Sequence, residues 1–378
     1  AMTGSASAGV SVSAQVPILF VADSVVAQIA GGADVTSASD VDVFAGNATK
    51  IKSISVTASV GTTAGIGAHN EFFKIEKETR AGIEQADVFA GRDVTVEAVT
   101  PESLSHFAVS GAVGIYAGVA GVNQVGITKS RTIAYMADAA VESGRDTSII
   151  ATAPRQSRMT AGSGGGGFVG VGASIVILDA QDEVVAETTS GRSANDGYVE
   201  LTVGRDLLVH ADARTDPSEK VPFVNGQNGE GGYSVNQVVV GTGGGLVGIA
   251  GAGLYTSAKQ SVTARIGDYT RVDGPDLNDV TVEAHQSYGQ DVFVLTAAGG
   301  AISVGAAGVI TSMRNAVLAE IGTGVILKAT GDVTVNAYGE RDFTGAVVAG
   351  GGGAISAQGS GILLTYGKRV RIDDPDEE

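Results

Sequence analysis

The feature that most constrains this chain is an alanine that returns at a nearly fixed interval. Ala27, Ala81, Ala134, Ala186, Ala264 and Ala319 each sit in a segment of Val-x-Ala-x-Ile type. Their spacings are 54, 53, 52, 78 and 55 residues. A period of this size marks a repeat architecture, in which each unit has a face it can bury only against its neighbours. The one long interval holds about 25 extra residues.

Two further columns keep the same order. After each alanine segment comes a turn, an Asp, and alternating apolar residues ending in Ala. Gly91-Arg92-Asp93-Val94-Thr95-Val96-Glu97-Ala98 is one example, and Gly331-Asp332-Val333-Thr334-Val335-Asn336-Ala337 another. Asp146, Asp206 and Asp279 head the remaining copies, and Ile54-Ser55-Val56-Thr57-Ala58 reads as a weaker first copy. Before the last four alanine segments lies a glycine-rich run, Gly111–Gly121, Gly164–Gly172, Gly243–Gly253 and Gly299–Gly308, and Gly350–Gly361 opens a further, truncated repeat.

The local pattern is β. Val-Thr-Val-Glu-Ala alternates with period two, and Gly-x-Asp is turn chemistry before a strand. No segment carries a capped 3.6-residue period. The chain therefore reads as all-β: one elongated β-solenoid of the parallel β-helix kind, with about six 54-residue units and a partial seventh. The units run roughly 3–58, 59–106, 107–158, 159–235, 236–290, 291–343 and 344–372, with a surface insertion at 215–236. Residues 1–2 read as a cloning remnant and 373–378 as an acidic tail, so the chain reads as a segment of something longer.

Composition excludes several classes. Of 378 residues 56 are Gly, yet they cluster rather than fall at every third position as collagen requires. The chain is 43% hydrophobic, too apolar for a disordered linker. It has no Cys, so neither disulfides nor thiolate metal sites can form. A net charge of −17 repels phosphate, which argues against nucleic acid and anionic membranes as partners. In a strand, Gly marks a bulge or a close backbone approach, so a glycine column implies thin strands packed unusually close to another sheet or another chain.

Motifs that suggest chemistry have simpler readings. Gly243-x-Gly245-x-x-Gly248, with Asp273 beyond it, and Gly165-x-Gly167-x-x-Gly170 match the dinucleotide fingerprint. Both lack the helix whose N-terminus would bind pyrophosphate and both fall on the glycine column. Val235–Ser257, Val292–Met313 and Phe343–Tyr366 carry no charge but are Gly- and Ala-rich and in register with the β columns, so membrane insertion is not expected. Asp93, Asp146, Asp206, Asp279 and Asp332 would stack about 4.8 Å apart if each unit is one coil. Arg92, Arg145 and Arg205, or turn hydrogen bonds, would then offset their repulsion. Asp273, Asp276 and Asp279 form a looser acidic loop.

His69, His106, His210 and His285 share no metal spacing, and His210 and His285 read as facing opposite sides of their strands. Tyr135, Tyr198, Tyr233, Tyr255 and Tyr269 are scattered, without the local acid–base cluster of a polysaccharide-cleaving β-helix. Asn47-Ala48-Thr49 is a sequon by pattern only. No catalytic, cofactor-binding or metal-ligating residues are assigned, no cofactor is expected, and the chain is not read as an enzyme.

The columns, most cleanly from Ala298 to Ala337, resemble the repeats of giant bacterial surface adhesins of the leukotoxin-type filamentous class and of biofilm exoproteins. The resemblance implies a secreted stalk or adhesive segment at the bacterial cell surface. Its partners would be neighbouring repeats, further copies of itself, or an extracellular glycan or partner-cell surface. It carries over no ligand residue. The alternatives are a carbohydrate-binding or carbohydrate-active β-helix, and a calcium-stabilised matrix module.

Overall fold

The computed structural model describes residues 1–189, 199–213 and 234–367. The first coil holds β1 (Met2–Ser7), β2 (Val10–Gln15), β3 (Ile18–Ala30), β4 (Asp34–Ser37) and β5 (Val41–Gly46). The second holds β6 (Thr49–Gly61), β7 (Ala64–Glu84), β8 (Asp87–Ala90) and β9 (Val94–Val99). The third repeats that plan as β10 (Glu102–Gly114), β11 (Ala117–Ala137), β12 (Ala140–Ser143) and β13 (Thr147–Thr152). The fourth is β14 (Arg155–Gly166), β15 (Val169–Thr189), β16 (Val199–Val203) and β17 (Leu207–Ala213). Then come β18 (Ser234–Gly244), β19 (Val247–Ile266), β20 (Thr270–Asp273) and β21 (Val280–Gly299). The last are β22 (Ile302–Ile321), β23 (Ile326–Leu327), β24 (Val333–Gly352) and β25 (Ile355–Tyr366).

Every strand pairs in parallel with its counterpart one coil away, giving three sheets of 11, 8 and 6 strands among the described residues. We call them the A, B and C sheets in that order. The chain is thus a parallel β-solenoid with two broad walls and one narrow one. The alanine column is literal: Ala27, Ala81, Ala134, Ala186, Ala264 and Ala319 pair in unbroken register along sheet B. The Asp-headed column is the first part of sheet A, where Ala45, Ala98, Ala151, Ala211, Ala284 and Ala337 align. Its first copy is β5, so Ile54–Ala58, read from sequence as that copy, belongs instead to β6 and pairs with Phe107–Gly111.

The long interval is also corrected. Sheet B jumps by 78 residues between β15 and β19, as Val169 pairs with Val247. Sheet C has already moved to an offset of 60, Ala140 pairing with Glu200. The extra length therefore enters in two places, between Thr189 and Val199 and between Ala213 and Ser234. Ser234–Asn236 lie in β18, with Asn236 opposite Arg158. The rest of the expected insertion, and the acidic tail, fall outside the described residues.

Inward positions follow the local width of the coil. Where sheets A and B diverge toward sheet C, Val88, Val96, Ile149, Leu201, Val209 and Val282 fill a continuous core. Midway, Phe73, Leu104, Met159, Leu178 and Val294 form a second. At the far end the walls converge. There Gly65, Gly118, Gly170 and Gly248 form one inward column of sheet B. A Cβ on Gly118 would strike the carbonyl oxygens of Gly166 and Ala112, and one on Gly170 those of Gly244 and Gly165. The glycine column is thus an internal seam where two walls meet backbone to backbone.

This predicts opposite outcomes for chemically identical substitutions. Gly170→Ala meets backbone and is expected to lower stability by about 1–3 kcal/mol, as overpacking does. Gly308→Ala, on the outer face of β22 with open space around it, is expected to be neutral or to stabilise by about 0.4–1 kcal/mol. Denaturant melts of the two variants check the difference; equal effects would refute the seam.

Candidate functional site

The Asp column resolves into a bonded ladder. Arg92, Arg145 and Arg205 each reach back one coil to Asp40, Asp93 and Asp146 as bidentate pairs, with Arg145 Nε donating to Asp93 Oδ1 at 3.0 Å and Nη2 to Oδ2 at 2.7 Å. Asp40, Asp93, Asp206 and Asp279 also accept the backbone N–H of the Asp one coil on: Asp146 N to Asp93 Oδ1 is 3.2 Å and Asp332 N to Asp279 Oδ1 is 2.8 Å. The hydrogen bonds run between coils rather than within a turn. These exposed pairs are screened by water and salt, so their main effect is to hold register. Asp273 faces Arg271 and Lys328.

The other candidate motifs take structural places. Gly167, Gly245 and Gly300 stand at one turn between sheets A and B with φ of 152°, 151° and 149°, where side chains are strained. Strand, not helix, follows each, so the fingerprint glycines are turn and seam positions. The three uncharged windows each run over the end of a sheet A strand, that turn, and the start of a sheet B strand. No helix among the described residues is long and apolar enough to cross a membrane. Tyr135 donates to Glu84 at 3.1 Å beneath the Arg80 guanidinium, while Tyr198 and Tyr233 lie outside the described residues.

Two polar layers cross the interior. In one, Lys77 pairs with Glu102 at 2.9 Å, and Arg155 bridges Glu102 at 3.1 Å and Asp182 at 2.7 Å, all buried. Burial works against ionising Glu102, but Arg155 and Lys77 hold its carboxyl below the ordinary range. Burial dominates at Asp182, which is pushed up to about 6 against the pull of Arg155. In the other layer Glu71 accepts from His106 Nδ1 at 2.8 Å and from Gln124 Nε2 at 2.9 Å, and Phe73 stacks on the His106 ring at 4.0 Å. Burial works against ionising Glu71 but is outweighed by hydrogen bonds from His106, then His69 and Ser53, so its carboxyl lies far below the ordinary range.

The outer surface carries what the columns did not reveal. Sequence reading set His210 and His285 on opposite sides; the structure puts both on the outer face of sheet A, their rings 5.4 Å apart and edge to face. His210 precedes Ala211, and His285 follows Ala284, its register partner. Positions one before and one after an inward residue share a face, since the strand period is two. Pairing the two alanines in sequence reveals it. Asp212 and Glu283 complete the group: His210 is 3.6 Å from each, and His285 is 4.0 Å from Glu283.

The second outer feature is an apolar strip flanking the glycine seam. Tyr116, Phe168 and Leu246 occupy one turn position on successive coils and are 66%, 55% and 48% exposed. The backbone ladder runs through them, Val169 N donating to Tyr116 O at 2.8 Å and Val247 N to Phe168 O at 2.9 Å. Ile66, Val119, Ile249 and Val304 flank them on sheet B, and Val60 and Val113 on sheet A, all exposed. A third feature is an open trough of about 1120 Å³ over the bend of sheet B, lined by Glu76, Lys129, Arg131, Glu183, Lys259 and Arg314 among others. No protein-family model, curated protein or solved structure matches the chain.

The buried carboxyls make stability depend on pH with two signs. Glu71 and Glu102 lose their protons more readily folded than unfolded, so their contribution is complete above their ordinary value of 4.5 and fades as pH falls below it. Asp182 holds a proton up to about 6 when folded against an ordinary 3.8, so its ionisation weakens the fold as pH rises between them. Melting temperature is expected to fall steeply below pH 4.5. Glu71→Gln should flatten that slope and cost about 2–3 kcal/mol at pH 7. Asp182→Asn should remove the decline across pH 4 to 6. Thermal melts across pH check all three.

Proposed function

We propose that the chain is a structural stalk segment of a large extracellular bacterial surface protein, projecting adhesive parts and associating side by side with further copies. The observation that carries this reading is the apolar strip of Tyr116, Phe168 and Leu246 on successive coils with exposed neighbours on both walls. Soluble monomers rarely expose contiguous apolar surface of that kind unless something docks there. The strip spans three successive coils, with Thr63 at the same turn position before it and Ala301 after it, so it offers several weak contacts in one register. The adhesin-like columns agree with such a role, since in this fold they specify wall, seam and turn.

Carbohydrate binding is the second reading, and the trough on sheet B favours it. Its lining is charged and contains no aromatic ring on which a sugar could stack. An acidic polysaccharide contacting Lys129, Arg131, Lys259 and Arg314 is the ligand class that fits. Sedimentation velocity separates the two readings. Concentration-dependent association that Phe168→Glu with Leu246→Glu abolishes supports the stalk. A strict monomer at high concentration, together with selective binding on a glycan array, would replace it with the second reading.

A further inference from the structure

The group on the outer face of sheet A has the donors and spacing of a metal site. His210 and Asp212 lie on β17, and Glu283 and His285 opposite them on β21, with His210 in register with Glu283 and Asp212 with His285. Donor atoms of His210, Asp212 and His285 all lie within 4.8 Å of one another. Nitrogen and oxygen ligands at about 2.0–2.1 Å from a tetrahedral ion sit about 3.3–3.4 Å apart, so small side-chain rotations close the set. Asp212 is buried and both imidazoles are mostly covered, so the donors are partly desolvated before any ion arrives.

The two nitrogens of His210 have different neighbours. Nε2 faces Asp212 and Nδ1 faces Glu283, each at 3.6 Å. That is the arrangement in which a carboxylate receives the Nδ1 proton and turns Nε2, as a neutral donor, onto a metal. The same positions on neighbouring coils lack the set. Ile150 and Thr152 stand one coil before, and Asn336 and Tyr338 one coil after.

We infer that His210, Asp212 and His285 bind a borderline divalent cation of the zinc class, with Glu283 orienting His210. Two imidazoles and a carboxylate select Zn²⁺ over Ca²⁺ or Mg²⁺, which take oxygen donors. Three protein ligands leave one position for water. The ion would clamp β17 to β21 next to Ala213, where the chain leaves the repeat plan, so its effect is to fasten the coil beside the long interval.

The test is isothermal titration of the chelator-treated full chain with Zn²⁺, and separately with Ca²⁺, at pH 7.5. One Zn²⁺ per chain is expected, with Ca²⁺ silent and a rise in melting temperature on zinc addition. His210→Gln with His285→Gln should weaken binding at least 100-fold. Glu283→Gln should weaken it about tenfold, the usual effect of losing an orienting carboxylate. Glu97→Gln, on the same outward column but away from the group, should leave it unchanged. Circular dichroism of each variant checks that the coil is intact. No zinc uptake by the parent chain, or uptake that the double variant retains, would overturn the assignment.

Discussion

The rest of this structure depends on the parallel hydrogen-bond ladder that runs between coils. Each strand donates to and accepts from the strand one coil away, and the register is held to the residue along every wall. A parallel ladder places equivalent positions directly over one another at about 4.8 Å. Like therefore stacks on like, and each column must suit one local width of the coil. The wall at the alanine column allows a methyl group beside the branched residues of the core. The wall at the seam allows only hydrogen in the central coils, as at Gly118 and Gly170, while Ser11 and Ser303 continue the column at its two ends. Glycine costs roughly 0.5–1 kcal/mol of conformational entropy per residue in a strand. It persists here because two backbones lie where a Cβ would be.

The same ladder explains why some of the fold was legible in the sequence and some was not. The alanine, Asp-headed and glycine columns recur because their environments recur, and aligning them gives the period and the all-β solenoid class. The weak first copy was misplaced because Ile54–Ala58 alternates as well as Val41–Ala45 does; only the ladder to β9 distinguishes them. The long interval looked like one insertion because sequence shows its total and not where each wall shifts. The inward column running Asp23, Lys77, Ser130, Asp182, Gln260 and Asn315 changes chemistry at every coil. No repeat analysis finds such a column, since it has position without pattern.

Those irregular inward residues form a coherent layer nevertheless. Lys77 and Arg155 balance Glu102 and Asp182, so four buried charges sum to zero. A buried ion pair seldom adds stability over a well-packed apolar set, because desolvation consumes most of the attraction. What it adds here is discrimination. An apolar column tolerates a slip by one whole coil, since Val over Val resembles Leu over Val. Lys77 finds Glu102, and Arg155 finds both Glu102 and Asp182, only when the three central coils stack in their native order. Register within a coil is set by alternation and the Asp–Arg ladder, whereas order among coils is set by this layer.

Outward positions obey no such rule, and the proposed contacts and metal site both lie there. An outward side chain is free of the width constraint, so the solenoid can vary it coil by coil without disturbing the walls. Departures there from column chemistry are therefore informative in a way that inward departures are not. Where Glu97 and Ile150 give way to His210, and Val99 and Thr152 to Asp212, the backbone ladder continues unbroken while the surface chemistry changes within two coils. Tyr116, Phe168 and Leu246 show the complementary behaviour: the residue changes but the apolar character stays, over a turn whose backbone would accept a polar side chain equally well. A property kept where packing does not demand it points outward, to whatever meets that edge.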